Sequence, residues 1–429
     1  MAKTSQPTGR PAASPPFLPR TVILAVVAVL SFFVARLGTL SVVPEVGGSI
    51  VWPLSGLALG ILVLSPRHDW PMTLAAIYVP TLAADLVAGF AWRASVAFTL
   101  VDATETTLAA WLLVRLLGTP IRLTRLREVV ALVAVAAILS NGVTSLMGAA
   151  VVTVAFGLPF WKTWLAWWLA SGAGMLLVAP LILGWSWAAA ELKRLRLQSL
   201  AEALVLLAAL GLLAVWIFRT DPRTATFLLP LPYIAYPFLF WAAVRFGPFG
   251  AAAASLVLSA VALLYTLHGT GPFALTARST TEQVLALQAF LNVAILAALV
   301  PAAVISERRR AEDETARAHR RFRTIFENAG DAILLIDADS IIDCNPRAEA
   351  LYGLPREALL QRKPGELSPP TQPDGRLSRE VAVECVQAAL SGAPQYYEWT
   401  HHGRRPARRG DDARTPGRAA RRLRDTGRE

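Results

Sequence analysis

Between residues 22 and 305 the chain is almost continuously apolar, and at Ser306 it turns without any linker into Glu307-Arg308-Arg309-Arg310 and a charged helical stretch. The hydrocarbon core of a bilayer offers backbone N–H and C=O groups no water, so runs of this kind fold there as helices that satisfy their own backbones. Apolar stretches of about 18 to 24 residues, long enough to cross roughly 30 Å of hydrocarbon, lie near 22–43, 50–65, 70–91, 94–117, 129–156, 160–187, 200–218, 226–244, 248–267 and 285–305. The pair around Trp52 and Trp70 has the least defined edges. The expected fold class is a polytopic α-helical membrane bundle of about ten spans, followed by a small α+β domain. Composition agrees, since 55% of the residues are hydrophobic and only 17% charged, outside the range of soluble globular domains.

Arginine and lysine orient the bundle, because positively charged loops stay on the cytoplasmic side. Lys3, Arg10 and Arg20 precede the first span, Arg122, Arg125 and Arg127 follow the fourth, and Lys193, Arg194 and Arg196 follow the sixth. The alternate connections carry Glu45, Lys162, and Arg219 with Arg223 offset by Asp221. An even span count then places both termini in the cytoplasm. Basic residues before an apolar run also suit a secretory signal, but this run is too long and no small-residue cleavage site follows Leu40. The net charge of +11 comes largely from cytoplasmic loops and the C-terminal end, so no nucleic-acid partner is expected. Cys344 and Cys385 both fall in the cytoplasmic part, where disulfides are not expected.

Within the spans the ionisable groups need explaining, since a charge at the bilayer centre costs at least about 3 kcal/mol on insertion scales. These are Arg36, Asp85, Asp102, Glu105 and Arg115. Asp102 and Glu105 stand three apart and share a helical face, which must point into the bundle or a wet cavity. Two readings stay open: an ion pair with Arg36 or Arg115 that fixes packing, or a ligand site. Trp52, Trp164, Trp167 and Trp168 fit interfacial aromatic belts with hydrated indole N–H groups. Pro53, Pro180 and Pro301 interrupt helices and free carbonyls, while Ser140, Asn141, Thr144 and Ser145 form a polar stripe of the interhelical-bonding kind.

Three segments carry a family resemblance. The first is Val51-Trp52-Pro53-Leu54-Ser55-Gly56-Leu57-Ala58, and the second is Thr163-Trp164-Leu165-Ala166-Trp167-Trp168 with Gly174-Met175-Leu176-Leu177-Val178-Ala179-Pro180-Leu181. The third is Trp241-Ala242-Ala243-Val244-Arg245-Phe246-Gly247-Pro248, completed by Leu287-Gln288-Ala289-Phe290-Leu291 and the Glu307-Arg308-Arg309 exit. In this order and spacing they resemble the MASE1 integral membrane sensory domain of bacteria. The resemblance implies an input domain found upstream of histidine kinases and diguanylate cyclases, in the bacterial inner membrane, with a ligand generally undefined. Where the family often has Asp after the paired tryptophans, this chain has Ser171. The residues expected at a ligand site are Asp85, Asp102, Glu105, Trp167, Trp168 and Ser171.

Beyond the last span, Val304, Ala311, Thr315, Ala318, Phe322 and Ile325 recur at heptad-like spacing, with Arg308 at the interrupted position. A helix leaving the membrane in this register would pair with its copy in a homodimer. From Phe322 a lead helix, a strand over 332–336, a polar turn with Asp337, a strand over 341–344 and a helix start at Asn345-Pro346 succeed one another. This run resembles a PAS domain, continued by residues 356–359, a helix over 378–390 and a third strand over 395–400. A PAS domain can hold flavin, haem or a metabolite; no cofactor is indicated, and a relay role is expected.

After His402 the composition changes: the last 27 residues hold about ten arginines, a single leucine and no aromatic residue. Read one base later, this segment can restore the strands a PAS sheet lacks, so it is expected to be a disordered frameshift product; the alternative is a basic tail for anionic lipid or RNA. The domain organisation expected is 1–20 disordered, 21–305 membrane sensory domain, 306–326 signalling helix, 327–402 incomplete PAS domain and 403–429 tail. No catalytic or metal-binding motif is seen, since His68, His268, His319, His401 and His402 are scattered. The expected function is a signal-transduction input protein that is not an enzyme, with the bilayer, a second copy and an unknown small ligand or membrane partner as partners. The rival is a transporter or permease with a cytoplasmic regulatory module, because buried carboxylates and broken helices also suit a permeation path.

Overall fold

The structure, a computed structural model, describes residues 19–192, 197–219, 231–337, 340–392, 394, 396 and 398–401. The chain divides into two units, Met1–Arg310 and Ala311–Glu429. In the first, α1 (Arg20–Thr39) leads into a short antiparallel hairpin, β1 (Val42–Val43) and β2 (Gly48–Ser49). Then come α2 (Pro53–Leu64), α3 (Trp70–Val87) and α4 (Trp92–Leu117). A π-helical segment, Leu132–Ser140, joins α5 (Leu126–Ala131) to α6 (Asn141–Phe156). The unit is completed by α7 (Phe160–Leu192), α8 (Leu197–Arg219), α9 (Tyr236–Leu267), α10 (Pro272–Thr276) and the first part of α11 (Thr280–Asn328).

Among the described residues eight helices are long and apolar enough to cross a membrane, and α2 is a shorter apolar helix of 12 residues. One of the eight, Pro232–Leu267, is two arms rather than one rod. Its Gly247 is non-helical at φ 64° and ψ −158°, a left-handed conformation that glycine tolerates. Eight residues of unbroken helix rise about 12 Å, yet a Cβ on Gly250 would lie only 3.1 Å from the carbonyl oxygen of Ala242, so the chain doubles back at Gly247. The eight long helices are roughly consistent with the ten apolar runs, the difference lying in the two arms of Pro232–Leu267 and in the short α2.

Packing follows from residue size. On α1 only Ser31, Ala35 and Gly38 are buried, a stripe of small residues, while Val26, Val29, Phe33 and Leu37 stay exposed on a face suited to lipid. By contrast α2 is buried nearly all round, with Leu54, Leu57, Leu59 and Leu62 at 2% exposure or less. It lies against α7 at glycine contacts: a Cβ on Gly56 would overlap the Gly174 carbonyl, and one on Gly174 would overlap the Trp52 carbonyl. Pro53 is the first residue of α2 rather than a break within a helix, as suits a residue with no N–H to donate, whereas Pro180 and Pro301 lie inside α7 and α11.

In the second unit the continuing α11 is followed by β3 (Leu334–Asp337) and β4 (Ser340–Cys344), paired antiparallel. α12 (Pro346–Tyr352), α13 (Arg356–Leu359) and α14 (Ser378–Leu390) complete it. Ile341, Cys344, Ala348, Tyr352, Leu359 and Leu367 form its core. α12 and α13 thus supply apolar partners to one face of the second strand, while Ile342, on the opposite face, is 49% exposed. The third strand expected over 395–400 does not form among the described residues. Instead Thr400 N–H donates to Gln372 Oε1 (2.8 Å) and the Thr400 carbonyl accepts from Gln372 Nε2 (3.3 Å), so one side chain takes backbone bonds a ladder would have used, and Trp399 Nε1 donates to Ser368 Oγ (2.7 Å). The arginine-rich end, 403–429, and with it the frameshift reading, lies outside the described residues.

Candidate functional site

A cavity of about 270 Å³ lies in the first unit at the end where α1, α3 and α6 finish and α4 and α7 begin. The β1–β2 hairpin contributes one wall through Gly47, Gly48 and Ser49. Phe90, Phe98, Phe156, Trp52 and Trp167 supply aromatic surface, and Asp85 and Asp102 supply carboxylates. The rings are organised around Phe98, which is stacked near Phe156 (6.4 Å between centroids), edge-on to Phe90 (6.3 Å) and tilted against Trp167 (5.6 Å).

The two carboxylates of α4 are held one helical turn apart and buried, Asp102 at 3% and Glu105 at 0% exposure. Trp52 Nε1 donates to Asp102 Oδ2 (2.9 Å), and Ser55 Oγ donates to Glu105 Oε1 (2.7 Å), so the start of α2 reads both. Tyr78 on α3 donates to the Asp102 backbone carbonyl (2.9 Å) and shares a hydrogen with Thr106 Oγ1 (2.7 Å). Ser171 and Trp167 on α7 line the same cavity. The second oxygens, Asp102 Oδ1 and Glu105 Oε2, accept no hydrogen bond among the described residues.

Neither arginine offered as an ion-pair partner closes this pair. Arg115 is exposed, and Arg36 donates to Thr39 Oγ1 (3.2 Å) and the Ala84 carbonyl (3.5 Å) while exerting its charge on Asp85. No salt bridge to Asp85, Asp102 or Glu105 forms among the described residues. Among the residues expected at a ligand site, Asp85, Asp102, Trp167 and Ser171 line the cavity and Glu105 stands behind it. Trp168 is directed elsewhere: its Nε1 donates to the Ala137 carbonyl (3.0 Å) and its ring stacks on Trp164 at 5.1 Å. The expectation of hydrated indoles is corrected for three tryptophans, since Trp52, Trp164 and Trp168 donate to protein acceptors, Trp164 to the Gly142 carbonyl (2.9 Å).

One turn of α7 connects this cavity to α11. Gln288 is fully buried, and its Nε2 reaches the carbonyls of Ser49 (3.3 Å), Ile50 (3.1 Å) and Ala166 (3.1 Å). Asn292 Nδ2 donates to the Leu169 carbonyl (3.1 Å), Asn141 Nδ2 to that of Trp168 (2.7 Å), and the Trp52 backbone N–H to that of Ala170 (3.1 Å). A carbonyl oxygen has two lone pairs, so these bonds add to the helix's own. Sequence reading did not single out Phe90, Phe98, Phe156, Tyr78 or Asn292. Aromatic and polar residues in apolar runs carry no mark of which face they present, though Gln288 stood inside one of the segments that carry the family resemblance.

In the second unit Asn345 is fully buried and bonded on both sides. Its Oδ1 accepts from the backbone N–H groups of Ile333 and Ala348 (2.9 Å each), and its Nδ2 donates to the carbonyls of Phe326 (3.1 Å) and Asp331 (2.9 Å). Pro346 opens α12, and Asp337 ends β3 in an exposed position. Burial pushes the Cys344 thiol above its ordinary range. Along α11, Arg308, Ala311, Thr315, Ala318, Phe322 and Ile325 are all exposed. Among the described residues no group of three or more His, Cys, Asp or Glu side chains is placed to hold a metal.

A family model, MASE1, matches residues 20–309, and a PAS domain model matches residues 320–387. No curated protein and no solved structure matches the chain. The first match covers more than half of the 429 residues and coincides with a multi-pass helical bundle built around a buried acidic and aromatic cavity, so the chain belongs to the MASE1 family, as a membrane signalling-type protein that carries a PAS domain behind its membrane domain.

Proposed function

We propose that this protein is a sensory input protein of the bacterial inner membrane, in which occupancy of the cavity is converted into a change in α11 and passed to the PAS unit. The observation that carries the reading is Gln288. A single fully buried amide on α11 bonds the carbonyl of Ser49, a cavity residue, and that of Ala166, beside the cavity residue Trp167. A ligand that shifts the hairpin or this turn of α7 therefore strains hydrogen bonds made by α11 itself, and such bonds favour two discrete arrangements over gradual change. The helix continues to Asn328 through the exposed heptad-like face, which suits pairing with a second copy. Both termini lie in the cytoplasm, the role is non-catalytic, and the output belongs to a kinase or cyclase of the kind such inputs precede. Transport fits less well, because the acidic pair is held by a fixed set of protein donors rather than along a path.

The test is disulfide cross-linking in membranes of a Thr315→Cys variant with Cys344 and Cys385 replaced by alanine. We expect cross-linked dimer, with its rate changed several-fold by Gly48→Leu at the cavity wall, where an added Cβ meets open space. Gln288→Leu is expected to erase that response. Substrate flux in proteoliposomes together with an unresponsive cross-link would favour the transporter.

A further inference from the structure

We infer that the cavity takes a small organic cation, a protonated amine on an apolar or aromatic skeleton. The inference deepens the sensory reading and rests on it for the cavity's being a ligand site. Three observations support it. Asp102 is 3% exposed, lines the cavity, and leaves Oδ1 without a hydrogen bond among the described residues, while Trp52 occupies Oδ2. A buried acceptor left open is costly unless a donor fills it, and an ammonium N–H is the donor that also answers its charge.

The unanswered acidic cluster is the second observation. Asp85 and Asp102 both line the cavity, Glu105 lies one turn further along α4, and no salt bridge to any of the three forms among the described residues. An anionic ligand would set acceptor against acceptor here, whereas an ammonium group brings both N–H donors and the complementary charge. The third is the wall. Phe98 is surrounded by Phe90, Phe156 and Trp167, with Trp52 also in the lining, and ring faces attract cations through their quadrupoles while excluding strongly hydrated ions. Bare metal ions fit poorly for the same reason: the carboxylates are fixed by Trp52 and Ser55, and no set of three ligands converges among the described residues. At about 270 Å³ the cavity falls just below the roughly 300–1,000 Å³ typical of small-molecule pockets, which points to a ligand of modest size. The open Oδ1 asks for an N–H, which favours a primary or secondary amine over a quaternary one.

The experiment is calorimetric titration of the full chain in lipid nanodiscs, referenced to empty nanodiscs, with benzylamine, benzyl alcohol and benzoate as probes. Benzylamine should bind saturably, with benzyl alcohol and benzoate at least tenfold weaker. Asp102→Asn should weaken benzylamine at least tenfold. Because Asp102 is buried, that variant can fail to fold, so Phe98→Leu is the companion: it keeps apolar volume, removes a ring face, and should weaken benzylamine by about threefold or more. Equal binding of benzyl alcohol, absence of benzylamine binding, or indifference to Phe98→Leu overturns the inference. The cross-link of the Thr315→Cys variant separates this from the sensory reading. Amine binding with a cross-link indifferent to amine and to Gly48→Leu sinks the sensory reading and leaves the cation site, while a cross-link that answers Gly48→Leu without amine binding does the reverse.

Discussion

Asn345 shows how one side chain can hold a small domain in register. Its four hydrogen bonds join the last turn of α11 at Phe326, the turn at Asp331, the entry to β3 at Ile333 and the first turn of α12 at Ala348. Removing the amide deletes a helix cap and leaves several buried groups without partners, a cost of at least about 2 kcal/mol. We expect Asn345→Ala in the full chain to speed hydrogen–deuterium exchange across residues 326–352 by roughly thirtyfold, the equivalent of that energy. An unchanged exchange pattern would show that packing of Ile341 and Tyr352 carries the unit alone. The Asn-Pro helix start was legible from sequence, because cap and first-turn preferences are local. That the same amide reaches back to Phe326 was not, since that contact depends on where the lead helix lies.

At the scale of elements, the α2–α7 contact sets the position of the site. Trp52 and Ser55 reach the carboxylates of α4 only because α2 begins tight against α7, with glycine at both points of closest approach. A methyl group on Gly174 overlaps the Trp52 carbonyl and threatens the Trp52 N–H bond to Ala170. Overpacking of this kind costs typically about 1–3 kcal/mol. Gly174→Ala should lower the thermal midpoint in detergent and reduce abundance in membranes, whereas Gly48→Ala, whose Cβ meets nothing within 4 Å, should change neither. Comparable losses in both would mean that the hairpin, not the α2–α7 approach, limits stability. Span lengths made the long helices legible, and charge spacing put Asp102 and Glu105 on one face. The third strand expected over 395–400 does not form among the described residues, because a strand needs a free sheet edge beside it that local sequence does not reveal, and Thr400 and Trp399 bond Gln372 and Ser368 instead.

For the whole molecule, the topology turns on where the two ends of the membrane unit lie. Arg20 at the start of α1 pairs with Asp69, Glu307 accepts from the Leu126 backbone N–H (2.9 Å), and Ser306 lies beside Gly247. These contacts gather the entry of α1 and the exit of α11 at corresponding ends of the bundle, opposite the cavity. With loop arginines retained in the cytoplasm, reporter fusions after Lys193 should read cytoplasmic and those after Arg278 periplasmic. The opposite reading at either site ends this topology and moves the cavity to the other face.

Sequence alone determined the class of molecule and the passage from membrane helix to charged helix, because hydropathy, run length and cap chemistry act over a few residues and need no partner. It also marked Asp102 and Glu105 as costly, since a buried charge is conspicuous whatever surrounds it. What surrounds them was decided by tertiary structure. Trp52 became a donor to Asp102, Arg115 turned out of the bundle, and Phe90, Phe98 and Phe156 came together from three separate helix ends. Such pairings depend on helix rotation and on the close approach that Gly56 and Gly174 permit, and a one-dimensional pattern of apolar residues leaves rotation undetermined when nearly every face is apolar.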